Sequence, residues 1–152
     1  MEDSKNKFVA RNKKAFHEYE IIEKFEVGIV LQGTEIKSVR ESKVAFKDAF
    51  VEIKNGEAWL IGFNIAQYTF GNIWNHEEER KRKLLMHKTE ILKLHQKIKE
   101  RGLTLIPLDI YIKYGRAKVT VALAKGKALY DKRDSIKKKD QEREMRRIQK
   151  NY

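Results

Sequence analysis

Residues 51–61 read VEIKNGEAWLI, and this stretch decides the fold class. Val51 and Ile53 alternate with Glu52 and Lys54, Asn55-Gly56 follows, and Ala58-Trp59-Leu60-Ile61 resumes the apolar run. Asn-Gly supplies two residues that accept positive φ at little cost, as the type I′ turn of a hairpin requires. A β-hairpin is therefore predicted here. A second one is predicted in DIYIKYGRAKVTVAL at 109–123. Ile110, Ile112 and Tyr114 share one strand face, Gly115 sits in the turn, and Val119, Val121 and Leu123 return with period two. Lys113, Lys118 and Thr120 fall on or near the other face, so this hairpin reads as apolar inside and basic outside.

Moving outward, Phe25 to Leu31 and Thr34 to Val39 read as two further strands around Gly33, with weaker alternation. One helix is predicted over Lys88 to Arg101, where Ile91, Leu94, His95 and Ile98 fall at i, i+3, i+4 and i+7. Lys97, Lys99 and Arg101 suit its C-terminal dipole, Gly102 suits its C-cap, and Pro107 blocks continuation. A shorter helix is expected through Ser42 to Ala49 and a helical turn through Arg11 to Phe16. No internal repeat or Gly/Ser/Pro linker is visible. About six short strands with a few helices predict a mainly β fold with α, a small antiparallel OB-fold-like barrel with flanking helices.

Charge divides the chain. Lys and Arg number 34 against 22 Asp and Glu, a net of +12 over 152 residues. The last 28 residues, Lys125 to Tyr152, hold 11 basic and 5 acidic side chains, which is +6 and half of the total. Their only large aliphatic residues are Leu129, Ile136, Met145 and Ile148, too few to build a core. The expected organisation is a barrel domain over 1–124 and a basic tail over 125–152. Such a tail points to a polyanion partner, RNA or DNA first. Further basic clusters stand at Lys13-Lys14, Lys37 with Arg40, Arg80-Lys81-Arg82-Lys83, and Lys113 with Arg116 and Lys118; each is a candidate for phosphate contact. The seven Phe and two Trp read as core rather than as base-stacking platforms.

Composition excludes several classes. There is no cysteine, so disulfides and thiolate metal sites are ruled out, and a reducing compartment is compatible. Met1 to Lys7 has no apolar signal region, and the longest apolar run, Ala58 to Phe63, is far short of a membrane span. A cytoplasmic protein without membrane contact is expected. The histidines at 17, 76, 87 and 95 lack paired ligand spacing, and His76-Glu77-Glu78-Glu79 is not completed to HExxH. Ala124-Lys125-Gly126-Lys127 lacks the upstream glycine and the Ser or Thr of a phosphate-binding loop. No enzyme, cofactor or metal is expected.

Four blocks in order carry a resemblance: NKKAFHEYEI at 12–21, GIVLQGTEIKSVR at 28–40, RKRKLLMHKTEI at 80–91, and LTLIPLDIYIKYGRAKVTVALAKGKALYDKR at 103–133. Together with the basic tail they resemble the SmpB family, the SsrA-binding proteins of bacteria, over most of residues 11–152. One departure is Ser42 before Lys43, where that family usually has glycine; another is Met86 in place of leucine. The resemblance implies an OB-fold barrel that binds the tRNA-like domain of transfer-messenger RNA, and so RNA rather than DNA. It implies an adaptor for ribosome rescue by trans-translation, in which the barrel stands where an anticodon arm would sit. The tail would enter the empty message channel near the decoding centre. Elongation factor Tu on the same RNA is a further candidate partner, and a monomer is the expected state.

Residue roles follow from the same resemblance. Asn12, Glu26, Leu85 and Lys118 match positions implicated in RNA binding, with Lys13, Lys14, His17, Lys37, Arg40 and Lys83 as further candidates. Each of the four also has a plainer reading. Asn12 could bond base edges or ribose hydroxyls, or simply cap a helix. Glu26 could accept from a guanine edge or a 2′-hydroxyl, or form a cross-strand ion pair. Leu85 could touch an unstacked base, or lie in the core. Lys118 could meet a phosphate, or be an ordinary exposed strand lysine. In the tail, Gly126, Tyr130, Asp131, Lys132 and Arg133 match the region tied to the ribosome, and Lys137, Lys138, Arg143, Arg146 and Arg147 supply further cations. The i,i+4 pairs Asp134–Lys138 and Glu142–Arg146 favour a helix by only a few tenths of a kcal/mol each, so a tail disordered when free and helical when bound is expected.

Overall fold

The computed structural model describes residues 6–69 and 75–126. The expectations for 127–152, including Tyr130, Asp131, Lys132, Arg133 and the later tail cations, lie outside the described residues. The elements in chain order are β1 (Lys7–Arg11), α1 (Lys13–Glu18), β2 (Tyr19–Ile29), α2 (Gly33–Arg40), β3 (Val44–Ala45), β4 (Phe50–Lys54), β5 (Glu57–Ile61), β6 (Asn64–Ile65), β7 (Arg82–Leu85), α3 (Lys88–Arg101), β8 (Thr104–Lys113) and β9 (Arg116–Gly126). All pairings are antiparallel, and they close a ring in the order β8-β4-β5-β7-β2-β9 and back to β8. The expected antiparallel barrel with flanking helices is the architecture found. β8 divides one edge between two partners: Leu105 pairs with Val51 of β4, while residues 109–112 pair with β1.

Both predicted hairpins are present. Asn55 and Gly56 have φ of 54° and 73°, as the type I′ reading requires, and Tyr114 and Gly115 repeat the pattern with 52° and 77°. Val119, Val121 and Leu123 point into the core beside Leu60, Leu84, Leu105 and Ile110. Ala122 and Ala124, on the outer face, are buried as well, because α1 lays Ala15 and Phe16 over them with Ile106 and Leu108. Asn12 holds α1 there. Its Oδ1 accepts from Ala15 N at 3.2 Å, and its Nδ2 donates to the Pro107 carbonyl at 2.8 Å. α3 spans the predicted residues and ends at Gly102 in the left-handed region.

Two expected elements are replaced. Thr34 to Val39 is not a strand but most of α2. Gln32 and Glu35 form a capping box at its start, and Glu35, Ser38 and Val39 are buried at helical spacing. The apparent alternation failed because Glu35 is itself an inward side chain. Ser42 to Ala49 is not a helix: Ser42 turns the chain at φ 61°, β3 pairs with β6, and Lys47 at φ 44° turns it again.

The centre of this region is ionic. Arg82 and Glu35 are both fully buried, with Nε donating to Oε2 at 2.5 Å. Arg82 also donates to the carbonyls of Phe63 at 2.7 Å, Glu78 at 3.1 Å and Glu77 at 3.3 Å. The other Glu35 oxygen accepts from Arg80 Nη2 at 2.6 Å and from Gln32 N at 2.8 Å. His76 completes the region, bonding Thr34 Oγ1 and the Ile65 carbonyl at 2.9 Å each. Arg82 therefore cannot serve as the phosphate contact its basic cluster suggested.

Burial opposes ionisation of Glu35, but the bonds from Arg80 and Gln32 and the charge of Arg82 outweigh it and hold the carboxyl below its ordinary value. A depressed folded pKa gives stability that is complete above the unfolded carboxylate pKa and lost as pH falls through the folded one. Urea titrations should therefore show stability falling on acidification below the ordinary carboxylate range. Glu35→Gln should cost about 3–5 kcal/mol at neutral pH, because it leaves Arg82 buried without its counter-charge, and should flatten the acid limb. An unchanged limb would assign the acid loss to other groups. Ser42→Gly should raise stability by about 1 kcal/mol by removing a left-handed side-chain residue, read as a higher urea midpoint at unchanged slope.

Candidate nucleic-acid interface

Residues directly opposite one another in antiparallel strands share a face. The register carries one outward row across five strands. Phe8 of β1 faces Tyr111 of β8, Tyr111 faces Lys118 of β9, Lys118 faces Gly28 of β2, and Gly28 faces Leu85 of β7. The two ends of the row are open: Phe8 is 60% exposed and Leu85 57%. Leu85 is thus not the core residue its composition suggests, and Phe8 corrects the expectation that the phenylalanines are buried. Gly28 is the one small residue in the row, and a Cβ there would lie 3.1 Å from Leu85 Cδ1.

Beside this row Glu26 takes its cross-strand reading. It accepts from the Tyr111 hydroxyl and from Lys113 Nζ at 3.3 and 3.4 Å. The Tyr111 bond is the strongest influence holding Glu26 below the ordinary carboxylate range; burial opposes it, and Lys113 and Lys118 add to it. Burial first and the Glu26 bond second push the Tyr111 hydroxyl up. At neutral pH the face therefore presents a carboxylate already engaged by a phenol and an ammonium. Its repulsion of a phosphate is correspondingly reduced.

The remaining candidates sit elsewhere. Asn12 is buried and has both side-chain groups committed, so the capping reading is the one the structure shows. Lys13, Lys14 and His17 are exposed on α1, with Lys14 paired to Asp48 at 2.8 Å. Lys37 and Arg40 are exposed on α2; Lys37 Nζ stands 5.3 Å from the Tyr68 ring centroid, and the Arg40 carbonyl accepts from Lys7. Lys83 lies two residues before Leu85, 3.6 Å from Glu57. Lys125 and Gly126 continue β9, opposite Glu20 and Tyr19.

The structure thus brings Glu26, Leu85 and Lys118 together and adds Phe8, Gly28 and Tyr111. Tyr111 was legible as outward, being flanked by Ile110 and Ile112. Phe8 was not, since its position depends on pairing with a strand about 100 residues away. Among the described residues no group of three or more His, Asp or Glu is placed to hold a metal ion, and no helix is long and apolar enough to cross a membrane.

The family model described as SmpB protein matches residues 9–151. The SsrA-binding protein of Streptococcus sanguinis (strain SK36) is 55% identical over 152 residues, covering 100% of this chain and 98% of that one. The SsrA-binding protein of Ligilactobacillus salivarius (strain UCC118) is 53% identical over 148 residues, covering 97% and 96%. A solved structure described as "tmRNA-SmpB: a journey to the center of the bacterial ribosome" contains a chain that aligns with a TM-score of 0.64 at 47% identity. It covers 78% of this chain and 83% of that one. With its barrel and its full-length sequence similarity in accord, the chain belongs to the SmpB family.

Proposed function

We propose that this protein binds the tRNA-like domain of transfer-messenger RNA and delivers it to stalled ribosomes for trans-translation. The observation that carries the reading is the outward row from Phe8 to Leu85, an apolar and cationic stripe on a protein whose relatives are described as SsrA-binding. Lys118 neutralises phosphate, Leu85 and Phe8 offer apolar surface to unstacked bases, and Glu26 fixes Tyr111 and Lys113 between them. Asn12 acts indirectly: by capping α1 it positions the exposed Lys13 and His17. Lys37 and Arg40 extend the positive surface along α2. The barrel takes the place of an anticodon arm, and the basic tail, including Tyr130 and the Asp131-Lys132-Arg133 run, occupies the empty message channel. No step of covalent chemistry is assigned to the protein. The setting is cytoplasmic, where the RNA and the ribosome reside, with elongation factor Tu as a companion on the same RNA.

A competition titration tests this. Labelled tRNA-like domain is displaced by elongator tRNA or by a scrambled duplex, using the full chain and a chain ending at Gly126, the last residue paired in β9. Selective binding retained by the shortened chain is expected. Lys118→Ala should lower the salt slope by about 1, whereas Leu85→Ala should weaken binding with the slope unchanged. Equal affinity for all three RNAs, lost with the tail, would reduce the protein to a non-selective polycation.

A further inference from the structure

Asn55 is the only asparagine of the chain that is followed by glycine. The backbone nitrogen after an asparagine can attack the side-chain amide carbon and close a cyclic imide, and glycine offers the least hindered such nitrogen. Whether this happens depends on how the fold holds the pair. Here the hairpin turn leaves each participant free. Asn55 and Gly56 are exposed, and among the described residues no hydrogen bond engages the Asn55 amide. The ladder ends at the Lys54–Glu57 pair, so the Gly56 N–H lies outside it. The space around Gly56 is open, since a Cβ built there would meet no atom within 4 Å. Two other asparagines are held. Asn12 donates to the Pro107 carbonyl at 2.8 Å and accepts from Ala15 N at 3.2 Å. Asn75 donates to the Tyr68 carbonyl at 2.8 Å and accepts from His76 N at 3.0 Å.

The turn also adjoins a place that suits a new carboxylate. Asn55, Gly56 and Glu57 share a cleft of about 230 Å³ with Lys88 and Leu92 of α3. Lys88 is the first residue of that helix, and the cap residue His87 makes no side-chain bond to it. The cleft therefore holds an ammonium beside the positive end of a helix whose first N–H groups lack a side-chain acceptor. Glu57 is already engaged, with Lys83 3.6 Å away on β7.

We propose that Asn55 is a site of self-modification, at which the folded protein converts this asparagine to aspartyl and isoaspartyl residues with water as the only co-reactant. Gly56 N forms a bond to Asn55 Cγ and gives up its proton, the Cγ–Nδ2 bond breaks, and Nδ2 leaves with that proton as ammonia. Water then opens the imide, its hydroxyl adding to one of the two carbonyl carbons and its other proton passing to the nitrogen. Cleavage at Cγ restores the ordinary chain and leaves a carboxylate on the side chain. Cleavage at the main-chain carbonyl routes the backbone through Cβ and Cγ and lengthens it by one carbon. Either product lowers the net charge of +12 by one. The aspartyl product keeps the turn, because aspartate accepts positive φ there, and its carboxylate faces Lys88 and the start of α3. The isoaspartyl product does not. Its extra main-chain atom lies between Lys54 and Glu57 and disturbs the register that puts Val51 opposite Leu60 in the core.

The test is to hold the full chain at mildly alkaline pH, in plain buffer and in denaturing urea, and to follow ammonia release together with peptide mapping by mass spectrometry. In the folded protein position 55 should become an acid in both isomeric forms, while Asn12 and Asn75 remain amides. Asn55→Asp should abolish the ammonia release. The urea midpoint of this variant should match or exceed that of fresh native protein, and aged native protein should fall below both through its isoaspartyl fraction. Conversion at Asn55 in urea alone would overturn the site, because the folded turn would then be protecting it. Equal conversion at Asn12 or Asn75, or an amide intact at Asn55 under both conditions, would do the same. A midpoint for Asn55→Asp below that of fresh native protein would remove the cleft beside Lys88 as the seat of the aspartyl product.

Discussion

The buried pair of Arg82 and Glu35 is the constraint around which one side of the barrel is arranged. Two charges taken from water cost several kcal/mol each unless their bonding capacity is filled. Here it is filled by parts of the chain distant in sequence. Glu35 comes from the first turn of α2, Arg82 from β7, and the carbonyls of Phe63, Glu77 and Glu78 from the connection between them. α2, β7 and the described ends of the 63–82 connection must therefore arrive together. A hydrophobic pair of equal volume would hold them as firmly, but without the directional bonds that Arg82 and Glu35 make to named partners.

The outer face obeys a different electrostatic rule. On the face proposed above for RNA, cations are favoured, yet Glu26 lies in its midst. Its neighbours make sense of it. Tyr111 and Lys113 both donate to the one carboxylate, which fixes a phenol ring and an ammonium in place beside Lys118. The negative charge costs some attraction for phosphate and supplies order to the groups that surround it. Long lysine side chains lose rotamer entropy when they bind, and one already tethered loses less.

What the sequence disclosed follows local rules. The Asn55-Gly56 turn, the period-two valines of β9 and the helix ending at Gly102 depend on residues within one element, and all three are found as read. What it concealed depends on distant partners. Glu35 looked like a solvent-facing strand residue until its partner arrived from 47 positions away. Arg82 looked like one of four surface cations for the same reason. Leu85 illustrates the converse: its hydrophobicity suggested the core, while its strand alternation, set by Arg82 and Leu84 facing inward, sends it outside. The family resemblance supplied Asn12, Glu26, Leu85 and Lys118, of which Asn12 caps α1 and the other three share a face. The register explains why these three, separated in sequence, form one face.

These two halves of the protein meet in four consecutive residues. Along β7, Arg82 and Leu84 face the interior opposite Leu60 and Ala58, whereas Lys83 and Leu85 face outward, with Lys83 opposite Trp59 and Leu85 opposite Gly28. Slipping the strand by one residue would turn every side chain over. Lys83 would then enter the interior, where its ammonium lacks the fork that reaches a carboxylate and three carbonyls at once. Glu35 would lose Arg82, and Leu85 would leave the outer face. The buried ion pair therefore does more than hold α2 to the barrel. By favouring one register of β7 it determines which leucine of the Leu84-Leu85 pair is core and which is exposed. The outer row is in this sense fixed from the inside.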